Sequence, residues 1–299
     1  MENNRNSVLL GEDDVKKPLA KAEETEKSTT SAPSSLSNSS YYLDALNETE
    51  VNKLVKNIRP ELIVLVGLND FGKSTFSGSL YHLLRTRGRL RDYIFVDSET
   101  FVGWERRVFL RSLENDGPST TKRTIRGESN FLHLKMQNAN THDYFETVFS
   151  DSSGEVYRDY ISNDELIEMD RTIAQADKLL LFIDSCKLYG RNYRSLKDDY
   201  LSLLHRLKEK GKLPNQALIY LVFNKIDLKD KAYSGKNDHE QAIETIIQEA
   251  FDGKEISVIS INSKSLDNNQ QLEDFFATIL TPIVSQQNIV DIDWVNSDI

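Results

Sequence analysis

Gly67, Gly72, Lys73 and Ser74 stand in the order G-x-x-x-x-G-K-S, directly after the five apolar residues Leu62 to Val66. That spacing fits a phosphate chain. A triphosphate must be wrapped by backbone N–H groups, so glycine is needed where chain and phosphate approach closely. The turn between the glycines, with Asn69, Asp70 and Phe71, would present those N–H groups. Lys73 would set a point charge on the β- and γ-phosphates, and the Ser74 hydroxyl would bind magnesium. Thr75 closes the stretch and opens an amphipathic helix pattern. The plain alternative is an ordinary glycine turn before a helix, and the apolar strand ahead of it weighs against that.

Three further stretches supply complementary chemistry. Asp151-Ser152-Ser153-Gly154 follows the strand pattern FETVFS. An acid at the carboxyl end of a strand beside the phosphate loop can hold magnesium through water, and Gly154 lets a backbone N–H reach a γ-phosphate. Asn224-Lys225-Ile226-Asp227 ends the pattern LIYLVF. The Asp227 carboxylate can accept from guanine N1–H and the 2-amino group, which adenine cannot provide. The Asn224 amide suits O6 and N7 and can tie back to the phosphate loop, while the Lys225 stem covers the base plane. Asn262-Ser263-Lys264 follows ISVISI and can offer a backbone N–H to O6, which brings Ser263 and Lys264 into the candidate set. Singly these short motifs are weak; their order, each after a hydrophobic strand, points to guanosine triphosphate.

The elements that must position them read as an α/β alternation. Residues 1–40 combine a mixed-charge run with STTSAPSSLSNSS, which cannot bury enough surface to offset its ordering entropy, so a solvated tail is expected. A short helical lead-in over 41–60 has Asn47 or Thr49 as cap, Val51, Leu54, Val55 and Ile58 on one face, and Pro60 as its stop. Phe76, Leu80, Leu83 and Leu84 form the inner stripe of the helix after the phosphate loop, ending near Gly88. An insert over about 89–128 holds a strand at Tyr93–Val96 and a helix near Phe101–Leu113, with Trp104, Val108, Phe109 and Leu113 facing inward. Strands are expected at 131–136, 145–150, 179–183, 218–223 and 256–261. Helices are expected at about 164–176, along Leu196, Leu203, Leu204 and Leu207, at 238–251 and at 272–284. Such alternation gives a parallel-dominated sheet covered on both faces, with 286–299 as a C-terminal tail.

Composition narrows the function classes. The chain has 299 residues, 38 % of them hydrophobic, enough for a sizeable core, and a formal charge of −10 argues against a dedicated nucleic-acid surface. Cys186 is the single cysteine, so neither an intrachain disulfide nor a cysteine zinc site is expected. No apolar run approaches a membrane span and the N-terminus lacks a signal peptide's hydrophobic region, so a cytoplasmic location is expected.

With GLNDFGKS, DSSG, NKID and NSK in that order, the chain over about Glu61 to Ser285 resembles the translation-factor-related GTPase superfamily, the Ras-like G domain. The resemblance implies a P-loop NTPase three-layer α/β sandwich: a six-stranded, mostly parallel sheet with one antiparallel strand. It also implies binding of Mg²⁺ with GTP or GDP, and two switch segments that sense the γ-phosphate. A closer similarity is to the bacterial double-GTPase families, predicted to act in conflict or defence systems beside other GTPases and effectors. It rests on DSETFVGWERR, STTKRT, FLHLKM and SDSSGE. The partner implied is a protein effector or a second GTPase, with a G-domain dimer as one form.

Against that pattern some positions stay open. Thr120, Thr121 and Thr124 all qualify as the switch threonine that completes the magnesium shell; Thr124 is nearest the following strand. Lys122, Arg123 and Arg126 lie in the same segment, and Arg123 is the choice for a cation supplied in cis, against a simply solvated basic loop. Glu155 stands where Ras-like enzymes place a water-orienting glutamine. It is either a catalytic carboxylate or a sign that hydrolysis is slow or uses another group. Asp70 stands where cation-dependent, dimerising GTPases place asparagine, and it either helps hold K⁺ or caps a turn. A GTP-hydrolysing switch is the leading reading, and a nucleotide-stabilised binding module with little hydrolysis is its rival. An ATPase or small-molecule kinase is disfavoured by NKID.

Overall fold

A five-residue run of leucine, valine and isoleucine is buried on both faces only inside a sheet, and β1 (Glu61–Val66) is buried at every position. The computed structural model describes residues 44–55, 59–112, 131–229, 238–266 and 269–283. Strand β1 pairs in parallel with β5 (Tyr144–Ser150) on one side and β6 (Lys178–Asp184) on the other. Beyond β6, β7 (Leu218–Asn224) and β8 (Ile256–Ile261) continue in parallel. Beyond β5, β4 (Phe131–Asn138) runs antiparallel, the two being joined through the polar turn at residues 139–143.

These six strands have the expected arrangement, with β4 as the antiparallel member. Among the described residues, however, the sheet has eight strands. The insert adds β2 (Arg89–Leu90) and β3 (Tyr93–Asp97) as an antiparallel hairpin on the outer edge of β4, giving the order β2-β3-β4-β5-β1-β6-β7-β8. Two-residue β2 is too short to show any alternation in sequence.

The helices are set by their caps. In α1 (Glu48–Val55), Asn47 Oδ1 accepts from the Glu50 N–H at 3.0 Å while the Glu50 carboxylate accepts from the Asn47 N–H at 2.9 Å, so Asn47 rather than Thr49 is the cap. Val51 is buried, and Ile58 lies outside the described residues. Helix α2 (Lys73–Arg87) ends at Gly88 in the left-handed region, and its predicted stripe of Phe76, Leu80, Leu83 and Leu84 is buried. Helix α3 (Phe101–Ser112) buries Trp104 and Val108; the Phe109 and Leu113 side chains lie outside the described part.

The single helix expected over 164–176 is instead α5 (Asp164–Met169) and a 3-10 turn at Ile173–Gln175, and a helix not expected from sequence, α4 (Gly154–Tyr160), precedes them. Asp170 is the physical cause of the break. Its Oδ1 accepts from the Thr172 and Ile173 N–H groups and its Oδ2 from the Tyr160 hydroxyl, while its own carbonyl accepts from Lys212 Nζ.

A short helix not expected from sequence, α6 (Ser185–Tyr189), follows β6 and is capped by Asp184. Then come α7 (Tyr193–Glu209), α8 (Asp238–Ala250) and α9 (Gln270–Leu280). Phe76 of α2 packs its ring on Phe275 and Phe276 of α9 and on Phe182 of β6. Among the described residues no helix is long and apolar enough to cross a membrane.

Candidate nucleotide site

The parallel strands bring the motifs to one edge of the sheet. Gly67, Asp151 and Lys225 each follow the last residue of β1, β5 and β7, and Asn262 follows β8. Asp184 is level with Asn224, and Asn224 with Ile261, so the ends of β6, β7 and β8 are in register. Ligands of open α/β sheets sit at these carboxyl ends.

The phosphate loop is shaped by two glycines. Gly72 has φ 87° and caps α2, a conformation costly for any residue with a Cβ. A Cβ on Gly67 would come within 3.0 Å of the Phe182 side chain. The α2 N-terminus then aims its first-turn N–H groups and positive dipole end at the loop, a ready anion site. Lys73 is buried, donates from Nζ to the Gly67 carbonyl at 2.5 Å, and lies 5.4 Å from the centre of the Tyr157 ring. Burial lowers its pKa to about 8, against the raising influence of the Asp151 and Asp70 carboxylates. Ser74 and Thr75 occupy the first turn of α2. Asp70 adopts φ 66°, the left-handed geometry that aspartate tolerates in turns.

The base motif is bonded to this loop. Asn224 is buried; its Nδ2 donates to the Phe71 carbonyl at 3.0 Å, and its Oδ1 accepts from the Ser263 N–H and hydroxyl and the Lys225 N–H. Lys225 Nζ donates to the Asp70 carbonyl and, at 2.7 Å, to Asp184 Oδ2. Asp227, in the 3-10 turn Ile226–Leu228, keeps its carboxylate exposed. Two expectations change in detail. The Asn224 amide serves chiefly as the tie to the phosphate loop. The Ser263 N–H is already donated to Asn224, and the Lys264 N–H to Asn262 Oδ1 at 3.0 Å.

Gly154 presses on the loop from the other side: a Cβ there would lie 2.6 Å from the Asn69 N and Oδ1. Glu155 sits in the first turn of α4, its N–H capped by Ser153 Oγ at 3.3 Å. Asp151 is buried and engaged by Arg107 of α3, whose Nε donates to its Oδ2 at 2.8 Å and whose Nη2 donates to the same oxygen. Thr120, Thr121, Lys122, Arg123, Thr124 and Arg126 lie outside the described residues.

Sequence reasoning missed three contributors. Arg107 was visible only as part of the insert. Lys187 of α6 donates to the Asn69 carbonyl at 2.9 Å and lies 5.1 Å from the Phe71 ring centre. Buried Tyr157 donates to the Leu65 carbonyl at 2.9 Å beneath Lys73. Spacing could not reveal them, because each reaches the site from another element.

A glycine-shaped phosphate loop at the head of α2, welded to an N-K-x-D motif on a mostly parallel sheet, defines a P-loop GTPase. The profile of the Double-GTPase 2 family matches residues 61–282, and the chain belongs to that family. Among solved structures, it is similar to the Arl6 (BBS3) small GTPase of Trypanosoma brucei with bound GppNp: 10 % identity, TM-score 0.38, covering 74 % of this chain and 96 % of that one. It is also similar to nucleolar GTP-binding protein 1 of Plasmodium falciparum: 16 % identity, TM-score 0.39, covering 74 % and 86 %. No curated protein matches the chain.

Proposed function

We propose that this chain binds GTP with Mg²⁺, hydrolyses it to GDP, and uses the change to alter its hold on a protein partner. One observation carries the reading. Asn224 and Lys225, of the guanine-selecting motif, donate to the carbonyls of Phe71 and Asp70 in the phosphate loop, so base recognition and phosphate binding form one bonded unit.

In this reading the loop N–H groups from Asn69 to Thr75 and the Lys73 ammonium hold the phosphates, and Asp227 reads the base. The donor set fits magnesium. Asp151 and Ser74 offer hard oxygens, and the Asp151 carboxylate is buried against the Arg107 guanidinium. Thr124 is the proposed third oxygen. Magnesium, when bound, neutralises charge on the β- and γ-phosphates. Gly154 presents its N–H beside the loop, and Glu155, one residue on, takes a proton from the attacking water. The partner is a protein effector or a second GTPase, in a setting of the conflict or defence kind.

Single-turnover hydrolysis on purified protein tests this. Phosphate release above background with Mg²⁺, and none with a chelator, is expected. Tight GTP binding with no release would leave the nucleotide-stabilised binding module, a reading that draws on Glu155 standing in place of glutamine.

A further inference from the structure

Arg107 belongs to none of the four nucleotide motifs, though it closes the insert stretch DSETFVGWERR, and its guanidinium reaches the proposed metal carboxylate. Helix α3, which carries it, is fixed to α2. Trp104 stacks on Tyr81 with ring centres 5.4 Å apart, the Tyr81 hydroxyl donates to Glu105 at 2.9 Å, and Arg85 pairs with Glu105 at 2.7 Å. Gly78 of α2 faces the Arg107 backbone carbonyl, 3.6 Å from where a Cβ would stand, so the two helices meet closely at this level. From that base Nε and Nη2 both donate to Asp151 Oδ2, and Nη1 donates to the Gly103 carbonyl at 2.9 Å. The side chains are 12 % and 4 % exposed.

A buried carboxylate left without counter-charge is strongly unfavourable, so Asp151 needs a cation in every state of the protein. We propose that Arg107 is the positioning residue of Asp151. It holds the carboxylate when no metal is present and yields it to the hydration shell of magnesium when the metal and nucleotide load. The inference rests on the Mg²⁺–GTP reading above. Its consequence is that guanidinium and metal compete for one carboxylate, which ties the inserted helix to metal occupancy. It also sets a direction: removing the guanidinium strengthens magnesium binding.

The test is the Mg²⁺ dependence of fluorescent GDP release from the full chain, comparing wild type with Arg107→Gln and Arg107→Lys. Arg107→Gln is expected to need roughly tenfold less Mg²⁺ for half-maximal slowing of release, the worth of one charged hydrogen bond. Arg107→Lys, which keeps a point charge but not the fork, is expected to fall between the two. Without metal, Arg107→Gln should melt below wild type, with Mg²⁺ closing the gap. A half-saturation unchanged or raised in the variants overturns the proposal, and Arg107→Lys alone decides it if the glutamine variant does not fold. A wild type that binds GDP but releases it without regard to Mg²⁺ overturns the underlying reading, and the proposal with it.

Discussion

Asn224 Nδ2 occupies the place that a Cβ on Gly72 would take, so the second glycine of the phosphate loop and the asparagine of the base motif are fitted to each other. The same amide nitrogen donates to the Phe71 carbonyl, one residue before that glycine. Neither residue can be enlarged or moved without the other.

Gly72→Ala therefore meets two penalties, a left-handed φ of 87° and a direct collision. The strain alone is about 1–3 kcal/mol. Urea denaturation should show a loss of at least that size, together with loss of both GTP and GDP binding. A variant with wild-type stability and affinity would mean that the loop relaxes freely.

Gly154→Ala puts a methyl group 2.6 Å from the Asn69 nitrogen and pushes the phosphate loop from its outer side. The contact proposed for Gly154 is to the γ-phosphate, so GTP affinity should fall more than GDP affinity, by about tenfold, or 1.4 kcal/mol. Titration of each nucleotide measures this; an equal loss for both would remove the γ-phosphate contact from Gly154.

At the opposite, amino-terminal ends of the strands, Lys178 Nζ donates to Glu61 at 2.7 Å, to the Ile279 carbonyl at 2.8 Å and to the Thr281 carbonyl at 2.6 Å. Burial lowers the pKa of this lysine while Glu61 raises it. Lys178→Met leaves Glu61 buried without its cation, and should cost about 3–5 kcal/mol in denaturation experiments. Nucleotide affinity, measured well below the transition, should not change. A small stability loss would show that the Glu61–Ile283 contact suffices to satisfy the carboxylate.

How much of this was legible in the chain varies by element. The strands β1, β5, β7 and β8 were readable because their apolar runs end at motif residues, and parallel pairing, with β6 between β1 and β7, then brings Gly67, Asp151, Asn224 and Asn262 to one edge. The α3 helix was readable from Trp104 and Val108. Its arginine was not, because the Arg107–Asp151 pair spans 44 positions and no local pattern records it. The break at Asp170 was hidden because its cause is a set of side-chain bonds, from Tyr160 and Lys212, rather than a glycine or proline. Asn224 was read as a base contact that could also tie back to the loop; its buried, multiply bonded amide favours the second role.

The central claim is that the site selects guanine through Asp227, and competition binding tests it most directly. With Mg²⁺ present, GTP should displace a bound fluorescent guanine nucleotide while ATP at the same concentration does not. Asp227→Asn should lose GTP and gain xanthosine triphosphate, because an amide N–H then faces a 2-carbonyl in place of a 2-amino group. ATP competing as well as GTP, or an unchanged GTP preference in Asp227→Asn, would contradict the account.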